Sequence, residues 1–320
     1  MNFYLVILYG YFLLAGILIY LFNRDRKNPA VLLGKMPWLA WTFMAVLVFG
    51  VACGIDARFI EINRLVIHQE TIATPDIQKP IRIAFIGDLH VGENKKGPWI
   101  QKIVNKIIEL NPDVVIIGGD TVYNHGGNLN ESEYLEPLRE LPKQFPTYYV
   151  MGNHEYGYAA TGLQLNADQS EAVMHKMKDL GLILLKNQLG CPKLNGERLC
   201  LYGIDDVYRN QINFDDLKKW NKTAPLVLIA HNPDGILAWP DTTANPIITL
   251  AAHTHGGQIW LPFIGPVGRI PLRLGTPYYR GLNIYNGMNI FTTVGVSESG
   301  GPIRFLTPPE IALITLQPQQ

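Results

Sequence analysis

Histidine, aspartate and asparagine residues recur in this sequence directly after short apolar runs. The first run, Ile81–Ile86, ends at Gly87 and is followed by Asp88 and His90. The residues that share this placement are Asp88, His90, Asp120, Asn153, His154, His231, His253 and His255. One such residue alone is more often a hydrogen-bonded turn residue, but the repetition favours a shared site. Mixed imidazole and carboxylate ligands suit manganese, iron, zinc or nickel and disfavour calcium.

The apolar runs that precede these residues predict buried strands of an α/β sheet, because they are short and end in glycine or a polar turn. The predicted strands are Ile81–Ile86, Val114–Ile117, Tyr148–Met151, Leu182–Leu185, Leu199–Ile204, Leu226–Ala230 and Ile247–Ala252. Helices are predicted from Gly97-Pro98, over Glu131–Leu141 and Ala167–Leu180, and from Asn213 to Trp220. This alternation indicates a layered α/β domain. The strands that follow the loop Leu261–Gly281 are expected to complete a second sheet.

The candidate ligands outnumber those that one metal ion binds, so two ions that share a carboxylate account for them better. Their order and spacing across Ile81 to Gln258 resemble the five motifs of the calcineurin-like metallophosphoesterases. These motifs are Asp88-Leu-His90, Gly119-Asp120, Gly152-Asn153-His154-Glu155, His231 and His253-Thr-His255. The later segments Gly281-Leu282 and Pro302-Ile-Arg-Phe and the apolar amino terminus resemble the bacterial, membrane-associated branch of YkuE/YaeI type.

The resemblance implies a layered β-sandwich flanked by helices and a centre of two divalent metal ions, with manganese favoured. One ion would be held by Asp88, His90, Asp120 and His255, and the other by Asp120, Asn153, His231 and His253. Asp120 would bridge the ions together with a water or hydroxide that attacks phosphorus. His154 resembles the family histidine that protonates the leaving oxygen, or it is a structural histidine beside the ligands. Glu155 would hydrogen-bond to the site.

Two departures from the family pattern concern the surroundings of these ligands. Ala252 stands where the family usually has glycine, and we expect its methyl group to cause only a small shift. The stretch Gly295–Gly301 is looser than in the branch, which affects the substrate rim.

Other charged residues carry weaker signals. His125 is better explained as a solvated loop residue than as a substrate contact, and His68 and His175 are expected to be surface residues. Four arginines could bind a phosphate or a lipid headgroup, although each one singly is expected to be a surface charge. They are Arg269, Arg273, Arg280 and Arg304.

Two uncharged stretches near the amino terminus, Met1–Asn23 and Met36–Ile55, have the length of about 20 residues that spans a bilayer. They predict a transmembrane hairpin in preference to two core helices or a cleavable signal peptide. Basic residues between them favour a cytoplasmic turn, with the catalytic domain outside the cytoplasm, although Arg58 and Arg64 weaken the bias.

Asn195-Gly196 predicts a tight hairpin that would place Cys191 opposite Cys200. This register is compatible with a disulfide and with two free thiols. A disulfide would agree with an exported domain.

These observations predict a transmembrane hairpin (1–55), a connector (56–80) with an edge strand around Asn63–His68, and a metallophosphoesterase domain (81–320). The formal net charge of zero argues against nucleic-acid binding. The predicted enzyme is a phosphodiesterase or pyrophosphatase of a bacterial cell membrane that acts on a lipid-linked phosphate ester. An apolar stretch after the last motif fits either a lipid-facing lip or core packing, and it comprises Trp260, Leu261, Phe263 and Ile264.

Two other functions stay open. If the domain is cytoplasmic, the family resemblance favours a UDP-2,3-diacylglucosamine hydrolase of lipid A synthesis. The other alternative is a membrane sensor that keeps the metal site without turnover.

Overall fold

A computed structural model describes residues 3–25, 37–124, 130–240 and 244–319 of the chain. It begins with two long apolar helices, α1 (Phe3–Asp25) and α2 (Pro37–Ile55). They form an antiparallel pair in which the Tyr11 hydroxyl donates to the Leu47 carbonyl at 3.1 Å. Both helices are long and apolar enough to cross a membrane, and most of their side chains face away from the rest of the protein. A core helix would be covered, so this exposure favours the predicted hairpin. The predicted basic turn lies, from Arg26 onward, outside the described residues.

The first of two large sheets has the strand order β1-β16-β2-β3-β4-β5. Its strands are β1 (Val66–Thr74), β2 (Ile81–Ile86), β3 (Val114–Ile117), β4 (Thr147–Tyr149), β5 (Ile183–Leu184) and β16 (Glu310–Pro318). Strands β2 to β5 are parallel, and β16 runs antiparallel to β2 and parallel to β1. The connector does contribute an edge strand, β1, but it starts at Val66 and not around Asn63, because Glu61–Asn63 forms a 3-10 helix. The expectation that all late strands join the second sheet was wrong for β16, because this apolar strand is buried between β1 and β2.

The second sheet has the order β14-β15-β11-β10-β9-β6. Its strands are β6 (Gln188–Gly190), β9 (Cys200–Gly203), β10 (Leu226–Ala230), β11 (Ile248–Ala251), β14 (Gly281–Tyr285) and β15 (Met288–Thr292). The four central strands, β9, β10, β11 and β15, are parallel, and both edge strands are antiparallel to their neighbours.

Alternation along β2 explains how the layers form. Ile83 and Phe85 point into an apolar core shared with the second sheet, which contributes residues such as Leu250. Ala84 and Ile86 point to the other face, where a helix covers the first sheet. Successive side chains of a strand face opposite sides, so an all-apolar strand requires cover on both faces. The predicted layered sandwich with flanking helices is confirmed.

The flanking helices are α3 (Gly97–Leu110) and α4 (Ser170–Asp179). The predicted helix Glu131–Leu141 is a 3-10 helix, Glu131–Glu140, with Pro137 inside it. The short helix after Asn213 is also a 3-10 helix, Asp215–Lys219, and Asn213 precedes its N-cap.

Two small hairpins complete the fold. Strands β7 (Lys193–Leu194) and β8 (Glu197–Arg198) pair in the predicted register, and Cys191 and Cys200 form a disulfide. Strands β12 (Trp260–Leu261) and β13 (Gly265–Pro266) form a hairpin after the last sequence motif.

Candidate metal centre

The candidate residues meet where the parallel strands of both sheets end. Asp88 and His90 follow β2, Asp120 follows β3, and Asn153 and His154 follow β4 in the first sheet. The second sheet contributes His231 after β10, and His253 and His255 after β11. The two sheets are packed face to face, so these strand ends form one site.

Three groups of potential ligand atoms occur among the described residues of this site, each with its atoms within 4.8 Å of one another. Asp88, His90 and His255 form the first group, and Asp120, His231 and His253 form the second. The third group, His90, Asp120 and His154, overlaps the other two. Asp120 also connects the groups, because its Oδ2 lies 3.4 Å from His90 Nε2 and 3.2 Å from His231 Nε2. Asn153 joins the second group, with its Oδ1 at 3.0 Å from His231 Nε2. The first two groups fall within the two ligand sets that the family resemblance implies, whereas the third includes His154, which the resemblance does not place among the ligands.

Five of these residues have left-handed backbone conformations. Their φ angles are positive: Asp88 53°, His90 41°, Asp120 50°, His253 71° and His255 50°. Such angles are uncommon outside glycine and cost on the order of 1–3 kcal/mol each. The sharp turns at the strand ends point these side chains into the site. The strained backbone is therefore tied to the placement of the candidate ligands.

Backbone carbonyls fix the orientation of three histidine rings. Nδ1 of His231 lies 2.7 Å from the carbonyl oxygen of Gly118, and Nδ1 of His255 lies 2.9 Å from the carbonyl oxygen of Ser297. A carbonyl oxygen only accepts, so Nδ1 must donate and Nε2 is left to face the site. His154 has the same arrangement, with Nδ1 at 2.7 Å from an upstream carbonyl oxygen. Such outer contacts are typical of metal-binding histidines.

The buried carboxylate of Glu155 organises the loop that carries Asp120. It accepts hydrogen bonds from the backbone N–H groups of Asp120, Thr121 and Gly152 at 3.2, 2.5 and 2.7 Å. The Thr121 hydroxyl donates to it at 2.8 Å. Glu155 therefore ties the end of β3 to the end of β4, in line with its predicted supporting role.

Burial keeps several of the imidazoles neutral. It lowers the pKa of His90 to about 4 and that of His253 to about 3, and the pKa of His255 is lowered as well. Neutral imidazole is the form that binds metal. Burial also lowers the pKa of His231, but the adjacent Asp120 carboxylate outweighs this effect and raises the pKa overall.

Buried polar atoms without hydrogen bonds show that the site fits a cation. Both ring nitrogens of His90 lack a hydrogen-bond partner within the described part of the chain. Asp88 Oδ2 likewise accepts no hydrogen bond there. Burial raises the pKa of Asp88, which means that its charged form lacks full compensation. Leaving such groups unpaired is costly, and a divalent cation would satisfy Asp88 Oδ2 and one ring nitrogen of His90. The residues present therefore fit the metal centre that the sequence predicts.

A cavity of about 170 Å³ opens over these groups. Its wall includes Asp120, His154 and Arg269 together with Gln258 and Ser299. His154 is partly exposed to this space, and its Nε2 lies 4.0 Å from Asp120 Oδ2. The cavity can admit a phosphate group, with an imidazole and a guanidinium at its edge.

The three histidines outside the sequence motifs differ in their surroundings. His175 is exposed, as expected, and His125 lies outside the described residues. His68 is not a plain surface residue, because its ring nitrogens lie 3.3 Å from Glu310 and 2.9 Å from Glu70.

The four arginines also differ from one another. The expectation of a surface charge was wrong for Arg304, which is fully buried and donates to the carbonyls of Val294, Ser297 and Thr307. Arg269 lines the cavity, and Arg273 does not. The guanidinium of Arg280 stacks over the Trp260 ring.

Asp206 and Tyr208 are site residues that the sequence reasoning missed. Asp206 is buried beside His231, with a raised pKa of about 7 caused by burial, and it caps the turn that carries Tyr208. The Tyr208 hydroxyl lies 3.5 Å from His253 Nε2 and donates to the Ala160 carbonyl. A signal was present, since Asp205-Asp206 follows a predicted strand and Gly203, as the recognised ligands do.

The two departures from the family pattern both lie against the site. A side chain at Gly87 would place its Cβ 2.5 Å from the methyl group of Ala252, so Ala252 fills the space that Gly87 leaves. A Cβ at Gly295 would lie 2.6 Å from Asp88 Oδ2. The Gly295–Gly301 stretch is therefore part of the wall of the metal centre, through the Ser297 carbonyl.

Comparison of the sequence with known proteins finds similarity to phosphoesterases. A sequence model of the calcineurin-like phosphoesterases matches residues 81–257. An uncharacterized metallophosphoesterase of Helicobacter pylori is 31% identical over 260 residues, covering 79% of this chain and 64% of that relative. Phosphodiesterase YaeI of Escherichia coli is 28% identical over 242 residues, covering 75% of this chain and 84% of YaeI.

A transmembrane protein with metallophosphoesterase domain from Danio rerio is 26% identical over 255 residues, covering 76% of this chain and 54% of that protein. The chain thus spans less than two thirds of the length of the Helicobacter and Danio relatives. The family match extends over more than half of the chain and includes the motifs up to His255. The chain belongs to the calcineurin-like phosphoesterase family.

Proposed function

We propose that this protein hydrolyses a phosphoric ester at a centre of two divalent cations. The observation that carries the proposal is the convergence of both ligand groups on Asp120. Family membership and the phosphodiesterase name of the Escherichia coli relative support a metal-dependent phosphoester hydrolase. One cation would be held by Asp88, His90, Asp120 and His255, and the other by Asp120, Asn153, His231 and His253. Manganese is the favoured cation.

Two divalent cations bound there would polarise the phosphate ester and lower the pKa of a water molecule towards neutrality. The protein's own residues would orient the ester and move the proton. Nδ1 of His154 donates to the Tyr123 carbonyl, which leaves Nε2 facing the cavity. In the imidazolium form, with both ring nitrogens protonated, the Nε2–H would give its proton to the leaving oxygen, and the neutral ring would keep the proton on Nδ1. Arg269, in the cavity wall, would bind a phosphate oxygen of the ester.

We infer that helices α1 and α2 anchor the domain to a bacterial cell membrane and that the substrate is a lipid-linked phosphodiester or pyrophosphate. Anchoring would confine the cavity to the membrane surface, where lipid phosphates are concentrated. The exposure of both helices and the name of the Danio rerio relative support membrane association. A hairpin (1–55), a connector (56–80) and a phosphoesterase domain (81–320) remain the proposed division of the chain.

We propose further that the domain faces away from the cytoplasm. Support comes from the basic residues after α1 and from the Cys191–Cys200 disulfide, which is typical of oxidising compartments. In a cytoplasmic orientation, UDP-2,3-diacylglucosamine hydrolysis would be the leading alternative. A non-catalytic sensor is disfavoured, because every ligand position and His154 are occupied by the expected residue types.

The test uses the purified full chain in detergent, with bis-p-nitrophenyl phosphate as the probe. We expect turnover that a chelator removes and that added Mn²⁺ restores. Absence of turnover with Mn²⁺, Fe²⁺, Zn²⁺ and Ni²⁺ in turn would contradict the proposal. A panel of lipid-linked phosphates in mixed micelles then tests the substrate class. Turnover of the nitrophenyl ester without turnover of any lipid in the panel would count against the lipid assignment.

A further inference from the structure

Three segments join the end of the second apolar helix to the wall of the cavity. The chain leaves α2 through the turn Asp56–Asn63, which hydrogen-bonds to a segment near the carboxyl terminus. There the Arg304 N–H donates to the Ala57 carbonyl at 2.9 Å, and the Thr307 N–H donates to the Glu61 carboxylate at 2.5 Å. Helix α2 is thus attached directly to the catalytic domain.

The same carboxyl-terminal segment holds the β12–β13 hairpin. The Trp260 N–H donates to the Phe305 carbonyl at 2.8 Å, and the Phe305 N–H donates to the Gln258 carbonyl at 3.0 Å. The turn after α2, the segment around Leu306 and the hairpin are therefore neighbours. Together they form one surface that continues from the end of α2.

Large apolar side chains on this surface face outward. We define the apolar rim as the exposed side chains Phe59, Ile60, Phe263, Ile264, Val267 and Leu306. Phe263 is fully exposed at the hairpin tip, with a left-handed backbone (φ 65°) that glycine or asparagine would adopt at less cost. Trp260 and Leu261, in the stem, are only half-buried.

Aromatic and cationic groups at the rim match the chemistry of a lipid headgroup layer. The Arg280 guanidinium lies 3.8 Å from the centre of the Trp260 ring, and Arg58 lies 5.0 Å from the ring of Phe59. Tryptophan and arginine beside exposed apolar residues are typical of membrane interfaces, where arginine also attracts anionic lipids.

The hairpin also connects the rim to the metal centre. Gln258 and Ile259, before β12, and Gly268 and Arg269, after β13, line the cavity over the candidate ligands. The position of the tip relative to a membrane would therefore set the position of the cavity mouth.

We propose that the apolar rim inserts into the headgroup region of the bilayer that α2 crosses, and seats the cavity mouth on the lipid surface. A lipid phosphate ester would then reach Arg269 and the metal centre without leaving the membrane. The occupant of the rim is the bilayer itself. The route for substrate rests on the proposed function, whereas insertion of the rim does not require turnover.

The experiment measures the depth of single nitroxide labels on the full chain in nanodiscs of phosphatidylcholine and phosphatidylglycerol, each loaded with one protein molecule. Cys53→Ser removes the free thiol, and Phe263→Cys or Ile264→Cys introduces the labelling site. Ile183→Cys is the matched control, since Ile183 is an exposed apolar residue of β5, at the sheet edge opposite β1. Oxygen, which partitions into lipid, and a water-soluble nickel chelate report the environment of each label.

We expect the labels at 263 and 264 to be several-fold more accessible to oxygen than to the chelate, and the label at 183 to show the reverse. Chelate accessibility at 263 and 264 equal to that at 183 would overturn the proposal. Protection from both reagents would also overturn it, because it would indicate a protein contact. The measurement needs no catalysis, so insertion without any phosphoesterase turnover would support the rim while contradicting the proposed function.

Discussion

Asp120 lies between the two ligand groups, with its Oδ2 at 3.4 Å from His90 Nε2 and 3.2 Å from His231 Nε2. We expect Asp120→Asn to abolish phosphodiesterase turnover and to lower the metal content, because the amide loses the charge that would hold both cations. Turnover and metal content by mass spectrometry are measured on the same sample. Asp215→Asn, the same change at an exposed site, serves as the control and should alter neither quantity. Full activity with two metals bound in the Asp120 variant would refute the bridging role.

His154 should behave differently from the candidate ligands. We expect His154→Gln to keep its metal and to lose turnover by about 10²–10⁴-fold, the range typical of general acid catalysis. The loss should be smaller for nitrophenyl esters than for alkyl esters, because a good leaving group needs less protonation. His175→Gln is the control, since His175 is an exposed histidine outside the site. Equal losses for both ester types would argue against proton donation by His154.

At the scale of the strands, His68 in β1 contacts Glu310 in the neighbouring strand β16. Its hydrogen bond to Glu310, opposed by burial and helped by Glu70, raises the pKa of His68 from 6.5 to about 9. A raised pKa in the folded state stabilises the protein below the unfolded pKa, and the contribution is lost as pH rises through the folded pKa.

We therefore expect the free energy of unfolding to fall between pH of about 6.5 and pH of about 9 through this histidine. Denaturant unfolding in detergent at several pH values, for the native protein and for His68→Gln, measures the effect. The variant should be less stable at low pH and should depend less on pH across that window. Parallel curves for the two proteins would rule out this contribution.

Arg304 links several segments around the metal centre. Its guanidinium donates to the carbonyl of Ser297, which in turn accepts from His255, and it lies 3.4 Å from the buried Glu298 carboxylate. We expect Arg304→Met to destabilise the fold by about 3–5 kcal/mol, because Glu298 loses a buried partner. Metal affinity should fall by about 10–100-fold, as is typical when a partner of a ligand is lost.

Unfolding curves and metal titrations measure the two effects of Arg304→Met. The matched control is Arg198→Met, which removes an exposed arginine from the β7–β8 hairpin and should leave both quantities unchanged. A loss of stability with unchanged metal affinity would show that Arg304 supports the fold and does not position His255.

At the scale of the whole molecule, the orientation of the domain decides which substrates it meets. We expect alkaline phosphatase fused after Gln320 to be active and green fluorescent protein fused there to be dark, because the first functions outside the cytoplasm and the second inside. The Cys191–Cys200 disulfide supports this orientation. A fluorescent fusion together with an inactive phosphatase fusion would place the domain in the cytoplasm and favour UDP-2,3-diacylglucosamine as the substrate.

The sequence by itself determined the family, the layered fold and the groups of candidate ligands. Each of these rests on a local pattern, a short apolar run followed by glycine or a turn and then by Asp, Asn or His. The apolar composition of the run and the turn-forming residues after it are properties of adjacent positions in the chain, so the pattern is readable without the tertiary structure. The same pattern at Asp205-Asp206 was readable too and was overlooked.

Only the tertiary structure decided which groups orient and surround those ligands. The carbonyls that hold His255 and His231 lie 42 and 113 residues away along the chain. Arg304 and the strand β16 likewise owe their buried positions to contacts with segments distant in sequence. Hydropathy and spacing describe neighbours along the chain, whereas these contacts depend on which strands pair and which loops pack together, and that is set by the packing of the two sheets.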